Sequence, residues 1–143
     1  PGATALLATM RAHGAYSVLV SGGFTLFTEH VAALAGFDAH QGNRVEIVGG
    51  RLTGTVIEPI INRDGKRRAL RAIEAERGTA NAAVLAVGDG ANDLDMLAAA
   101  GLGVAYHAKP AVAEATAARI DHADLTALLY VQGYRADDIV AGP

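Results

Sequence analysis

A run of six apolar residues, Ala82-Ala83-Val84-Leu85-Ala86-Val87, passes directly into Gly88-Asp89-Gly90-Ala91-Asn92-Asp93. An unbroken apolar run bounded by turn formers reads as a parallel strand covered on both faces, which requires helices on both sides of a sheet. Leu94, Leu97 and Ala98 then mark one face of a short helix that Gly101 stops. The same order of strand, loop and helix occurs upstream. Residues 16–20 form an apolar run closed by Ser21-Gly22-Gly23, after which Phe24, Phe27, Val31 and Leu34 recur at helical spacing until Gly36. Leu6, Leu7 and Met10 pattern as an opening helix behind Pro1. Residues 45–48 and 52–57 flank Gly49-Gly50, a pair that permits positive φ, so a hairpin is expected. Pro59 and Asn62-Arg63-Asp64-Gly65 break the pattern ahead of a helix over residues 66–77, with Leu70 and Ile73 facing inward and Gly78 at its end. Residues 102–106 read as a strand, Pro110 opens a helix to residue 118, and residues 125–130 read as a last apolar helix. Strands alternating with helices predict a single domain built on an open α/β sheet, with its ligand site at the carboxyl ends of the strands.

Composition narrows the function classes. With 51% hydrophobic and 19% charged residues in a chain of 143, disorder is excluded and a core is expected. A net charge of −3 argues against a nucleic-acid footprint or a polybasic membrane anchor. The absence of cysteine removes disulfides, thiolate zinc sites and thiol nucleophiles, and fits a reducing compartment. No apolar run approaches the roughly 20 residues that span a bilayer, and no charged-then-apolar leader opens the chain, so a cytoplasmic location is expected. The chain opens at Pro1-Gly2 without methionine, as a sequence beginning inside a longer protein would.

Three loops carry candidate chemistry. Ser21-Gly22-Gly23 brings a hydroxyl and backbone N–H groups to the start of a helix, where a phosphate fits, although a cap and a tight turn would explain the same tripeptide. Lys66-Arg67-Arg68 places three cations in a first helical turn, against the macrodipole, so a nearby anion is expected. Arg67 and Arg68 read as a solvated face, and Lys66 as pointing toward the sheet end. Asp89 stands at the end of the buried strand, where hard oxygen donors suit magnesium and an unpaired charge would be costly. Asp93 and Asp95 have a simpler explanation, since acids in a first helical turn complement the dipole and Asn92 is a good cap. His13, His30, His40, His107 and His122 show no ligand spacing, and the patterns G-x-S-x-G, G-x-G-x-x-G and G-x-x-x-x-G-K-[ST] are all absent.

V-S-G-G-F at residues 20–24, D-G-K at 64–66 and G-D-G-A-N-D-L-D-M at 88–96 together resemble the haloacid dehalogenase (HAD) superfamily, and within it the phosphoserine phosphatases. E-I-V-G-G-R-L-T-G at 46–54 and A-G-L-G-V-A-Y-H-A-K-P at 100–110 extend the likeness over nearly the whole chain. The resemblance implies a Rossmann-like core, three-layered α/β/α with a mostly parallel sheet and a small hairpin. It also implies Mg2+-dependent hydrolysis of O-phosphoserine through an aspartyl-phosphate, a reaction of serine biosynthesis. Carried across by position, Ser21, Gly22 and Gly23 would hold phosphoryl oxygens and Lys66 would neutralise the phosphate. Asp89 would coordinate magnesium, Asn92 would bind phosphate or a metal-bound water, and Asp93 would fix Lys66 or a metal-bound water.

The family's D-x-D-x-[TV] nucleophile motif does not occur in this chain. Its one D-x-D, Asp93-Leu94-Asp95, falls on a predicted helix. The resemblance therefore implies that the sheet's central strand, the nucleophile and the substrate-selecting cap lie outside residues 1–143. The chain is then the C-terminal portion of one HAD-like domain, inactive alone, and completed by an N-terminal segment or a second copy. Two alternatives stand beside this: a HAD phosphatase acting on another small phosphomonoester, and a non-catalytic fragment or interaction module.

Overall fold

A computed structural model describes residues 1–142 and divides the chain into two compact units. The first comprises Pro1–Glu58 and the segment from Ala123 onward. Its helix α1 (Ala3–Ala12) buries Leu6 and Leu7, as their spacing predicts. Strand β1 (Val18–Phe24) pairs in parallel with β2 (Ala39–Val48), and between them lies helix α2 (Thr25–Ala35). β2 turns at Gly49-Gly50, whose φ values of 57° and 76° are those a glycine pair supplies without strain, into the antiparallel β3 (Arg51–Ile57).

Two sequence expectations change here. Ser21-Gly22-Gly23 belongs to β1, with an irregular register between Val20 and Phe24, so the strand does not stop at Val20. The apolar stripe of α2 faces outward: Phe27 and Leu34 are each 65% exposed, while Thr28 and Ala32 are buried. The reason is close packing on β2. The Thr28 hydroxyl lies 2.9 Å from His40 Nδ1, and a β-carbon on Gly42 would approach Thr28 Oγ1 to 2.9 Å, so small residues form the contact face.

The second unit is Pro59–His122. Helix α3 (Arg63–Arg77) begins three residues before the expected start, because the Asn62 side chain accepts from Gly65 N–H at 2.8 Å and caps it. β4 (Leu85–Gly88) is shorter than the apolar run that predicts it, whose first part forms a 3-10 turn over Asn81–Ala83. Helix α4 (Leu94–Ala99) follows, then β5 (Leu102–Tyr106), α5 (Pro110–Ala115) and β6 (Ala118–Ile120). β6 was not expected; a helix was predicted to run through residue 118, but α5 ends at Ala115 and the chain extends to pair with β5. β4, β5 and β6 form a parallel sheet in that order, with Leu85 opposite Leu102 and Val104 opposite Ala118. Leu70, Ala86, Met96, Leu97, Ala105 and Val112 make its core. The chain then returns to the first unit through α6 (Ala127–Val131), which buries Leu128 and Leu129 completely.

Candidate functional site

In the second unit Lys66, Asp93 and the backbone of the Asp89 loop are joined at the carboxyl end of β4. Lys66 lies on the stripe of α3 that also carries Leu70 and Ile73, at i, i+4 and i+7, so its side chain is directed inward. Its ammonium donates to Asp93 Oδ1 at 2.5 Å, with both side chains less than one-tenth exposed. The other oxygen of Asp93 accepts from Asp89 N–H at 3.1 Å and from Gly90 N–H at 3.0 Å. One carboxylate thereby ties a lysine on α3 to the loop that follows β4. Gly88 is required by this contact, since a β-carbon there would lie 2.5 Å from Asp93 Cβ. Asn92 sits in the 3-10 turn Ala91–Asp93, with its amide oxygen close over Gly90.

The burial of the two acids reverses the sequence expectation. Asp93, which a helix dipole was enough to explain, is 3% exposed and carries the ion pair. Asp89, expected to be the acid pressed against the strand end, is exposed. The three cations divide as expected. Arg67 and Arg68 stay at the surface and pair with Asp64, the Arg67 contact being 2.6 Å. The hydrogen bond from Arg67 holds the Asp64 carboxyl below its usual range. Arg63 donates to Asp95 at 2.5 Å, a second link between α3 and α4 that likewise lowers the Asp95 carboxyl.

In the first unit, the Ser21 hydroxyl does not cap α2, whose N-cap is Phe24; instead it accepts from Gly23 N–H at 3.0 Å. Gly22 offers its carbonyl to the Asn43 amide at 2.8 Å. Asn43 is buried, and the sequence reading passed over it. The available signal was an asparagine inside an extended segment, where it is disfavoured unless its side chain has a partner. Asn62 was missed similarly, although an asparagine just ahead of a helical pattern is a start signal.

Among the described residues no group of three or more His, Cys, Asp or Glu is placed to hold a metal ion. The donor set nevertheless fits magnesium in kind, since Asp89 presents one hard, exposed carboxylate and magnesium is commonly held by one or two carboxylates completed by water and phosphate.

Residues 1–98 match the model of the haloacid dehalogenase-like hydrolases. The chain belongs to this family. It is 45% identical over 141 residues to a phosphoserine phosphatase of Streptomyces coelicolor, a match covering 99% of this chain and 34% of that protein. Among solved structures, a HAD family hydrolase from Salmonella enterica serovar Typhi superposes with a TM-score of 0.86 at 36% identity, over 91% of this chain and 45% of that one. A phospho-aspartyl intermediate analogue of phosphoserine phosphatase gives 0.81 at 31%, over 90% and 61%. The chain thus spans about a third of the length of the Streptomyces relative. The α/β, Rossmann-like HAD fold with mostly parallel strands, expected from the motifs, is the fold found. No helix among the described residues is long and apolar enough to cross a membrane.

Proposed function

We propose that this chain is a portion of one HAD-type phosphatase domain that hydrolyses O-phosphoserine to serine and phosphate in the cytoplasm. The observation that carries the reading is the buried Lys66–Asp93 pair, whose carboxylate also grips the Asp89 loop. Phosphoryl transfer asks a protein chiefly for positioning and charge neutralisation. Lys66 supplies the positive charge, held in place by Asp93 rather than free to sample its many rotamers. Ser21, Gly22 and Gly23 bind phosphoryl oxygens, with the Gly22 carbonyl drawn onto Asn43. Asn92 binds phosphate or a metal-bound water. Asp89 holds Mg2+, which when bound adds electrostatic stabilisation of the phosphoryl group. The phosphoryl group passes to an aspartate outside residues 1–143 and is released from it by water, so the chain alone does not turn over.

The partner reading rests on the strand edges. β1 and β4 each pair on one side only, and an N-terminal segment or a second copy supplies the missing pairing. Phosphate release from O-phosphoserine by the full-length protein with Mg2+ tests the function. Lys66→Met and Asp89→Asn are each expected to lower kcat at least a hundredfold, and residues 1–143 alone to release none. Preference for another small phosphomonoester would reassign the substrate, and no turnover of any would favour the non-catalytic module.

A further inference from the structure

Asp89 is fixed through its backbone. Its N–H donates to Asp93 Oδ2, and its carbonyl accepts from Lys109 N–H at 3.2 Å. The second bond comes from the turn between β5 and α5. There His107 has φ 44°, the one non-glycine residue among those described with a positive φ. A side chain disfavours that region, so a residue stays there only when its surroundings hold it. Those surroundings are visible. His107 N–H donates to Ile120 O at 2.8 Å, just past the last pair of the β5–β6 ladder, and the chain bends at His107. Two residues later Lys109 is extended, with φ −59° and ψ 147°, and its carbonyl starts α5 by accepting from Val112 and Ala113 at 2.9 and 3.0 Å.

We propose that residues 107–109 are a backbone clamp on Asp89, in which the left-handed His107 aims the Lys109 N–H at the Asp89 carbonyl. Both are positioning residues, and Lys109 acts through its main chain rather than its ammonium. The proposal rests on the reading of Asp89 as the Mg2+ ligand. With N–H and carbonyl both bonded, the Asp89 backbone is held on two sides while its carboxylate stays exposed.

The test uses the full-length protein and five variants, four at the clamp and Asp89→Asn. Lys109→Pro removes the N–H at a residue whose φ already suits a proline ring, and keeps the carbonyl that starts α5. Lys109→Ala removes the charge and keeps the N–H. His107→Gly keeps the turn without the side chain's penalty, and His107→Val worsens it. Amide exchange at Asp89 and Gly90 is read in the Mg2+-free protein, Mg2+ affinity by calorimetry, and folding by the thermal midpoint. The loss of one hydrogen bond is about fivefold in an equilibrium constant. Lys109→Pro and His107→Val are therefore expected to speed exchange at both amides about fivefold and to weaken Mg2+ by a similar factor. Lys109→Ala and His107→Gly are expected to match the wild type. Unchanged exchange in Lys109→Pro, or equal weakening of Mg2+ by Lys109→Ala, overturns the clamp. Should Lys109→Pro not fold, the His107 pair decides by the same comparison. Equal Mg2+ affinity of wild type and Asp89→Asn overturns the metal reading itself, separately from the exchange result.

Discussion

An ammonium and a carboxylate buried together persist only when each finds enough partners to offset lost hydration. Asp93 meets this with three donors, Lys66 Nζ and the N–H groups of Asp89 and Gly90. Removing the lysine leaves a buried charge with only its two amide donors, so Lys66→Met is expected to lower unfolding stability by roughly 3 kcal/mol, read from urea denaturation. At Asp38, burial pushes the carboxyl up. Hydrogen bonds from the Ser17 N–H and hydroxyl, together with Arg11, outweigh that and leave it below the ordinary value. A lowered folded pKa gives stability that is complete above the unfolded value of about 3.9 and is lost as pH falls through the folded one. Asp38→Asn should therefore flatten the acid limb of a stability-against-pH curve below about pH 4 and leave the neutral region lower by roughly 1 kcal/mol. Wild-type acid sensitivity in this variant would exclude Asp38 as its source. At this scale the sequence singled out Lys66 and the loop at residues 88–93, but not which acid is buried. Asp89 and Asp93 both adjoin the end of an apolar strand, and only the 3-10 turn, which folds Asp93 back over Gly88, separates them.

Among elements, α2 is the instructive case. Apolar residues at helical spacing normally mark the inward face, and here Phe27, Val31 and Leu34 are exposed. The contact with β2 is so close that small side chains win, a term that periodicity does not contain. Phe27→Ser should accordingly change stability by no more than about 0.5 kcal/mol, whereas Ala32→Leu should cost about 1–3 kcal/mol by overpacking. Thermal midpoints of the two variants check the pair, and the opposite ranking would restore the conventional face. α3 shows the complementary lesson. Its inward Leu70 and Ile73 were legible, and its start was not, because Asn62 was read as a breaker when it is the cap. Asn62→Ala should cost about 1 kcal/mol, and a denaturation curve unchanged from wild type would deny the cap any weight. β6, with three residues, is too short to leave a periodic trace, and its place follows from pairing with β5.

At the scale of the molecule, the joint order of the motifs along the chain was enough to give the family, and the two at residues 20–24 and 88–96 each close a strand and open a helix, an alternation that admits few topologies. What the alternation could not supply is how each sheet ends. β1 and β4 each present one unpaired edge of N–H and carbonyl groups, and apolar side chains including Leu26, Phe27 and Leu34 stand in solvent. Such edges serve as templates for pairing with another chain, and exposed apolar surface adds a non-directional attraction. We therefore expect residues 1–143, prepared alone, to self-associate as concentration rises in sedimentation velocity. A peptide or domain supplying the family's D-x-D-x-[TV] strand should suppress that association and restore phosphate release in the same sample. Coupling the two readouts is what makes the experiment decisive, because generic stickiness would be relieved by many additives without recovering turnover. A chain that stays monomeric at all concentrations would instead mean that its edges are self-protected, and completion by a second segment would lose its physical motive.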